Sequence, residues 1–333
     1  MKRKVLIVTH GGRPAAVTAS NDAVRELTRA GFEVALHNDA LVRDFGEEMA
    51  AARVREGVAS CDVVIVLGGD GSILRATELT HGTGVPILGV NLGHVGFLAE
   101  LEPGNITEMV KRLDACDYTV EERTVAAVTV HRPGEDEPMT GWGLNEATIE
   151  KAERMRMIEV GIEVDDRPLS SFGCDGVVIA TSTGSTAHAF SGGGPVMWPN
   201  TDALLMVPLA AHALFARPLV IGPQSSFSVT ILDTSAVPAV LTCDGRRTID
   251  LPIGSRVDVK ISDQPIRFAR LFDAAFTDRL VSKFALPIKG WRQTASEAMV
   301  ASDAPASELP HSDGPASDVP GDPTPVPTSP EAG

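Results

Sequence analysis

At 333 residues the chain is long enough to bury a sizeable core and to hold two domains. A formal charge of −15 argues against a nucleic-acid partner, and no apolar run reaches the roughly 18 residues of a membrane span. Four widely spaced cysteines (Cys61, Cys116, Cys174, Cys243) without a CxxC pair, and scattered histidines without HExxH, exclude a disulfide framework and a structural zinc site as expectations.

The first third alternates strand and helix signals. Met1-Lys2-Arg3-Lys4 is basic, and Val5-Leu6-Ile7-Val8 is apolar but too short for a signal-peptide core. It reads as the first strand of a cytoplasmic protein. A helix is predicted over 15–30, a strand over 32–36, a helix over 46–57 and a strand over 62–67. Another strand (85–90) and a helix (102–114) follow. This alternation implies a doubly wound, Rossmann-like parallel sheet, with ligands outside the C-terminal ends of its strands.

From about Tyr118 the period changes to two. Strands are predicted over 124–130, 158–164, 227–232 and 257–261, with turns at Asp165-Asp166 and Asp244-Gly245. The fold expected is therefore α/β plus β: a Rossmann-like α/β domain followed by an antiparallel β-sandwich domain. The first is assigned residues 1–120 plus about 271–292, with a helix over 278–286, and the second residues 121–270. From Thr294 onward the chain holds seven acids, eight prolines and no Lys or Arg. That composition predicts a disordered acidic tail, 293–333, which carries −7 of the net charge.

Chemistry concentrates at Leu67-Gly68-Gly69-Asp70-Gly71-Ser72, where a buried strand runs through three glycines and one carboxylate into a helix. Glycines let backbone N–H groups approach an anion, and a helix N-terminus favours negative charge. A carboxylate beside phosphates either holds a metal ion or takes a proton from an attacking hydroxyl. The pattern points to phosphoryl transfer. A second constellation runs from Asp175-Gly176 through an apolar strand into Thr181-Ser182-Thr183-Gly184-Ser185-Thr186-Ala187-His188 and on to Gly194-Pro195. Its hydroxyls and bare backbone suit a ribose, an amide or a phosphate. Asn145-Glu146 forms a third polar cluster.

Three motifs in this order, Gly68-Gly69-Asp70-Gly71-Ser72, Leu144-Asn145-Glu146 and Asp175-Gly176 with Thr183-Gly184-Ser185-Thr186-Ala187, make the chain resemble the bacterial NAD kinases over roughly residues 4–292. Flanking segments Asn91 to Leu98 and His212 to Pro218 match as well. The resemblance implies phosphorylation of NAD at the 2′-hydroxyl of its adenosine ribose. ATP is the implied donor, with inorganic polyphosphate as an alternative, and a divalent ion such as Mg²⁺ accompanies it. By resemblance Asp70 is the proton acceptor, Gly71 lets the chain pass close to NAD, and Arg75 steadies phosphate charge. Asn145 and Glu146 grip ribose or nicotinamide-side groups. Asp175 contacts NAD, in this family often from a neighbouring subunit. Thr186, Ala187, His188, Ala189, Phe190 and Ser191 hold the adenine end. Arg156 is a further nucleotide contact, and Arg246 a weaker one. No protein metal-ligand set is assigned. The resemblance also implies a homodimer or homotetramer.

Three positions depart from the family pattern. His188 replaces a Tyr and Ser182 a Pro, and Gly173 stands where some relatives carry Arg. Imidazole charge varies near neutral pH, so NAD affinity is expected to be pH-sensitive. Other readings share parts of the pattern. A diacylglycerol- or sphingosine-type lipid kinase shares the Asp70 loop, and a non-catalytic NAD sensor would keep the pocket. A dehydrogenase is disfavoured because His10-Gly11-Gly12-Arg13 lacks G-x-G-x-x-G spacing.

Overall fold

The computed structural model describes residues 3–9, 14–38, 57–92, 96–99, 105–214, 216–272 and 275–288. The chain separates into two units, Met1–Leu286 and Pro287–Gly333. The acidic tail and most of the helix expected over 46–57 lie outside the described residues.

The first sheet is built from β1 (Lys4–Thr9), β2 (Glu33–Asn38), β3 (Val63–Leu67), β4 (Ile87–Val90) and β5 (Thr119–Arg123). β1 pairs in parallel with β2 and β3, and β3 with β4. The central strands β1, β3 and β4 are buried on both faces, which explains their unbroken apolar runs. Val5, Ile7, Val63, Ile65 and Leu67 join one cluster; Leu6, Val8, Val64 and Val66 join another on the opposite face. Helix α1 (Pro14–Arg29) supplies Ala19, Ala23 and Leu27 to the first cluster. On the opposite face α2 (Asp70–Thr80) supplies Ile73, Ala76 and Leu79. Helix α3 (Ile106–Asp114) adds Met109 and Leu113 beside α1. The sheet is thus doubly wound, as expected. Strand order reverses at β1, so the end of β3 lies at a topological switch point.

The remaining strands are β6 (Ala126–His131), β7 (Met139–Gly143), β8 (Glu146–Lys151), β9 (Ile158–Val164), β10 (Arg167–Cys174), β11 (Gly176–Ala180), β12 (Leu204–Leu209), β13 (Leu219–Ile221), β14 (Phe227–Ile231), β15 (Ala239–Cys243), β16 (Arg247–Leu251), β17 (Arg256–Ile261) and β18 (Ile266–Arg270). β6 to β17 make two six-stranded antiparallel sheets, ordered β10-β9-β14-β17-β6-β7 and β13-β12-β11-β8-β15-β16. Both contribute to one shared cluster, Val128, Ile158 and Val229 from one, Val177, Ile179 and Leu241 from the other. This is the expected sandwich. β18 returns to the first sheet, parallel to β4 at Phe268 and antiparallel to β5. Two short helices follow the motif order, α4 (His188–Ser191) and α5 (Phe276–Phe284).

Candidate active site

Helix α2 begins at Asp70, with Gly69 as its N-cap. Asp70 therefore sits in the first helical turn at the mouth of β3. Its carboxylate is clamped from the segment after β4: Phe97 N–H donates to Oδ2 at 3.0 Å and Leu98 N–H to Oδ1 at 3.2 Å. Each oxygen keeps acceptor capacity beyond these bonds. The neighbouring glycines divide into two kinds. A Cβ on Gly96 would stand 2.3 Å from Asp70 Oδ1, and one on Gly68 2.4 Å from Ser72 Oγ. Internal packing requires both. A Cβ on Gly69 or Gly71 would meet nothing within 4 Å among the described residues, which leaves space beside Asp70 for a ligand. Ser72 N–H is taken by Gly69 O at 2.9 Å, and the N–H groups of Asp70 and Gly71 at the helix head suit an anion.

The Asn145-Glu146 corner between β7 and β8 is held by Asp244. Asp244 accepts the backbone N–H groups of Leu144 (3.0 Å), Asn145 (2.7 Å) and Glu146 (3.3 Å), and a guanidinium N–H of Arg247 (2.7 Å). It adopts φ +53°, which Asp tolerates better than most residues. Burial raises its pKa, opposed by these donors. Glu146 is buried, its Oε2 has no hydrogen-bond partner among the described residues, and burial, then the Asp244 charge, push it up to about 8. The backbone N–H of His188 donates to this carboxyl and partly opposes the shift. Burial thus favours the protonated form of Glu146, with one oxygen that meets no partner among the described residues.

The Thr181–Ser191 segment is held by hydrogen bonds to its own backbone and to the Asn145 corner. Thr181 donates its N–H to Asn145 O (2.9 Å) and its hydroxyl to Leu144 O (2.5 Å). Ser185 Oγ donates to Ser182 O (2.7 Å) and accepts Met197 N–H (2.9 Å). Gly184 crosses Asn145 so closely that a Cβ would fall 1.9 Å from its carbonyl oxygen. Buried hydroxyls thus staple the second and third motifs together. Thr186, Ala187 and His188 are partly exposed beside Glu146, with His188 Nδ1 3.5 Å from Thr148 Oγ1. Phe190 and Ser191 are exposed, whereas Ala189 is packed with Val178, Ala180 and Val207.

Two bridges join the lobes. Leu144 shares a cluster with Ile73, Leu98 and Ala99, which sets the Asn145 corner against the Asp70 cradle. On this side the ring of His81 stacks on Trp142 at 4.1 Å, and Arg247 lies 3.8 Å over the Trp142 ring. Arg246 pairs with Glu78 of α2 at 2.9 Å, so the weak candidate is an interlobe contact. On the other side α5 touches Phe97 through Phe276 and Phe284, and Phe284 also meets Phe190 at 4.8 Å. Arg75 lies on α2, partly buried, one turn beyond Gly71.

Arg156 and Asp175 stand apart. Arg156 is on the exposed loop 152–157. Asp175 precedes β11, paired with Lys151, while Glu146 pairs with Ala180 at the other end of that strand. Five residues of extended chain separate the two ends by about 16 Å. The residues that sequence reasoning missed are Asp244 and Arg247. Asp244-Gly245 signalled only a turn, and no local pattern ties it to Asn145.

A model of the ATP-NAD kinase N-terminal domain matches residues 5–118, and one of the C-terminal domain matches residues 144–271. The chain is 51% identical to the NAD kinase of Bifidobacterium longum over 88% of its own length and 85% of the relative's. Against the NAD kinase of Thermobifida fusca it is 50% identical, over 89% and 93%. Yeast NADH kinase complexed with NADH shares the fold at a TM-score of 0.73, with 19% identity over 92% of this chain and 90% of that one. An Archaeoglobus fulgidus NAD kinase in complex with ATP superposes at 0.62, with 25% identity over 86% and 100%. Clamped carboxylate, stapled motifs and matched domains agree: the chain belongs to the ATP-NAD kinase family.

Proposed function

We propose that this chain transfers the γ-phosphoryl group of ATP to the 2′-hydroxyl of the adenosine ribose of NAD, giving NADP, with Asp70 as proton acceptor. The observation that carries this is the carboxylate at the head of α2, fixed by two N–H donors and flanked by two glycines open to a ligand. The ribose O–H gives its proton to the remaining acceptor capacity of Asp70 as its oxygen bonds to the γ-phosphorus, and the bond from that phosphorus to ADP breaks. A positioned carboxylate contributes about 10²–10⁴-fold to such a step. Gly71 leaves the dinucleotide room, and the N–H groups at the head of α2, with Arg75, meet phosphate charge. Glu146, with its unpartnered oxygen, and Asn145 meet ribose hydroxyls. Thr186, Ala187 and His188 lie beside Glu146 to receive the adenine end, with Phe190 and Ser191 exposed beyond them.

Among the described residues no three His, Cys, Asp or Glu side chains converge as a metal cage. One carboxylate beside an anion-receiving helix end is no metal cage, so a magnesium ion would arrive on ATP and would neutralise charge on the transferring phosphoryl group, leaving Asp70 as the proton acceptor.

Asp175 joins the reading only through a second copy. Within one chain it lies a strand's length from Glu146, so a complete NAD site with Asp175 needs a homo-oligomer, a dimer or tetramer. The four free cysteines, two of them buried, agree with a reducing cytoplasm. Purified protein given NAD and Mg²⁺ with ATP or polyphosphate, followed by NADP-specific enzymatic cycling, tests the reading. NADP accumulates with ATP; its absence with either donor overturns the proposal.

A further inference from the structure

The peptide group joining Phe97 to Leu98 is held at both of its polar ends. Its N–H, that of Leu98, donates to Asp70 Oδ1 at 3.2 Å. Its carbonyl, that of Phe97, accepts a guanidinium N–H from Arg279 of α5 at 2.8 Å, a part-buried contact. One planar amide group thus stands between the Asp70 carboxylate and a cation. Arg270 of β18 is placed differently. It donates to Leu98 O at 3.1 Å, in the next peptide, while its Nε serves Glu121 at 2.6 Å. Arg270 steadies the turn but stands outside the line of bonds from Arg279 to Asp70.

Helix α5 is docked on residue 97 itself. The rings of Phe276 and Phe284 meet the Phe97 ring with centroids 5.8 Å and 5.9 Å away, and Phe276 also meets Trp198 edge-on at 5.2 Å. Arg279 lies between the two phenylalanines in sequence and on the same side of the helix. Aromatic contacts on either side of it along α5 therefore aim its guanidinium at the Phe97 carbonyl.

Amide resonance couples the two ends of the peptide. A cation at the carbonyl oxygen draws electron density from the nitrogen and makes the N–H a stronger donor. The bond from guanidinium to carbonyl is itself charge-assisted, hence stronger than a neutral one. Of the two N–H bonds to Asp70, the one from Leu98 is the longer, 3.2 Å against 3.0 Å from Phe97, and it is the one with a cation behind it. We propose that Arg279 is a positioning residue for Asp70, acting through the Phe97–Leu98 peptide to fix how the carboxylate faces the attacking hydroxyl. The effect on turnover rests on the proposed role of Asp70; the relay of bonds does not.

The relay can be read directly, because Phe97-Leu98 is the one place in the chain where Leu follows Phe. Full-length protein labelled with carbonyl-¹³C phenylalanine and ¹⁵N leucine gives a single HNCO cross-peak, which reports both the carbonyl that Arg279 meets and the N–H that Asp70 meets. In Arg279→Met, folding checked by circular dichroism, the amide proton and the carbonyl carbon are both expected to move upfield. Arg279→Gln keeps a donor without the charge, and supplies the same test should Arg279→Met not fold. In the same variants the single-turnover rate of NADP formation should fall about tenfold, with NAD affinity by calorimetry unchanged. Arg279→Lys should recover most of that loss. In an Asp70→Ala background, Arg279→Met should lower the residual rate by less than about twofold, because its effect passes through Asp70. An amide proton unmoved in the folded variants overturns the relay. An unchanged rate overturns the positioning role, as does an equal fractional loss with Asp70 present and absent. A wild-type chain that makes no NADP strikes the proposed function instead, and the cross-peak still decides the relay.

Discussion

Oδ1 of Asp244 accepts the backbone N–H of Asn145 at 2.7 Å, across 99 residues of sequence. That bond makes the nucleotide-facing corner a product of the sandwich rather than of its own local sequence. Asp244→Asn keeps the oxygen facing Asn145 but turns an NH₂ group toward Leu144 N–H and Arg247, donor against donor. The expected cost is about 1–3 kcal/mol of stability. The KM for NAD should rise several-fold while kcat changes less. Urea unfolding and steady-state kinetics check this; an unchanged KM in a destabilised variant would confine Asp244 to a structural role.

Glu146 gives a pH dependence of defined sign. Its folded pKa is raised from 4.5 to about 8 by burial and by Asp244. Across that window the folded chain holds a proton that the unfolded chain has lost. Stability therefore falls as pH rises from the unfolded value toward about 8, by up to about 1.4 kcal/mol per pH unit from this group. Glu146→Gln mimics the neutral form and removes this slope. Unfolding free energies at about pH 6 and pH 8 should diverge between the two proteins, with the variant gaining relative stability at the higher pH. Parallel pH profiles would show that Glu146 ionises as freely folded as unfolded.

Two glycines should separate packing from ligand space. Gly184→Ala drives a methyl group into the Asn145 carbonyl and should cost about 1–3 kcal/mol, with loss of NAD binding. Gly71→Ala meets nothing within 4 Å among the described residues and sits in the first turn of α2, where Ala is the better helix former. It should leave the thermal midpoint unchanged or slightly higher while raising the KM for NAD. A Gly71→Ala enzyme with normal kinetics would place the dinucleotide elsewhere.

Much of this architecture was legible from periodicity. The central parallel strands β1, β3 and β4 are apolar runs because both faces are covered, and the sandwich strands that alternate do so because only one face is. Asp165-Asp166 and Asp244-Gly245 turn where expected, all four residues at positive φ. β18 escaped because Ile266-Arg267-Phe268-Ala269-Arg270 is short and carries two arginines, one of which turns inward to Glu121. The N-cap of α2 carries no side-chain signal, because Gly69 holds that position without a capping side chain. The clamp on Asp70 was also illegible. Phe97 and Leu98 contribute backbone N–H groups, which no side-chain pattern announces.

The clamp makes the outcome at Asp70 more specific than loss of a base. Asn is nearly isosteric, but only one of its two terminal atoms accepts a hydrogen bond. Asp70→Asn therefore removes the proton acceptor and also sets an NH₂ group against the N–H of Phe97 or Leu98. Loss of general-base catalysis alone predicts a fall of about 10²–10⁴-fold in kcat. Asp70→Ala loses the same base, yet it frees both N–H groups to meet water or ligand instead of opposing an amide. If Asp70 acts on the ribose hydroxyl, both variants lose kcat by at least about 10²-fold and still bind NAD, measured by calorimetry. Asn should be the less stable of the two. A variant that keeps turnover within about tenfold of the wild type would show that the proton leaves by another route and that Asp70 serves the fold of the 96–98 turn alone.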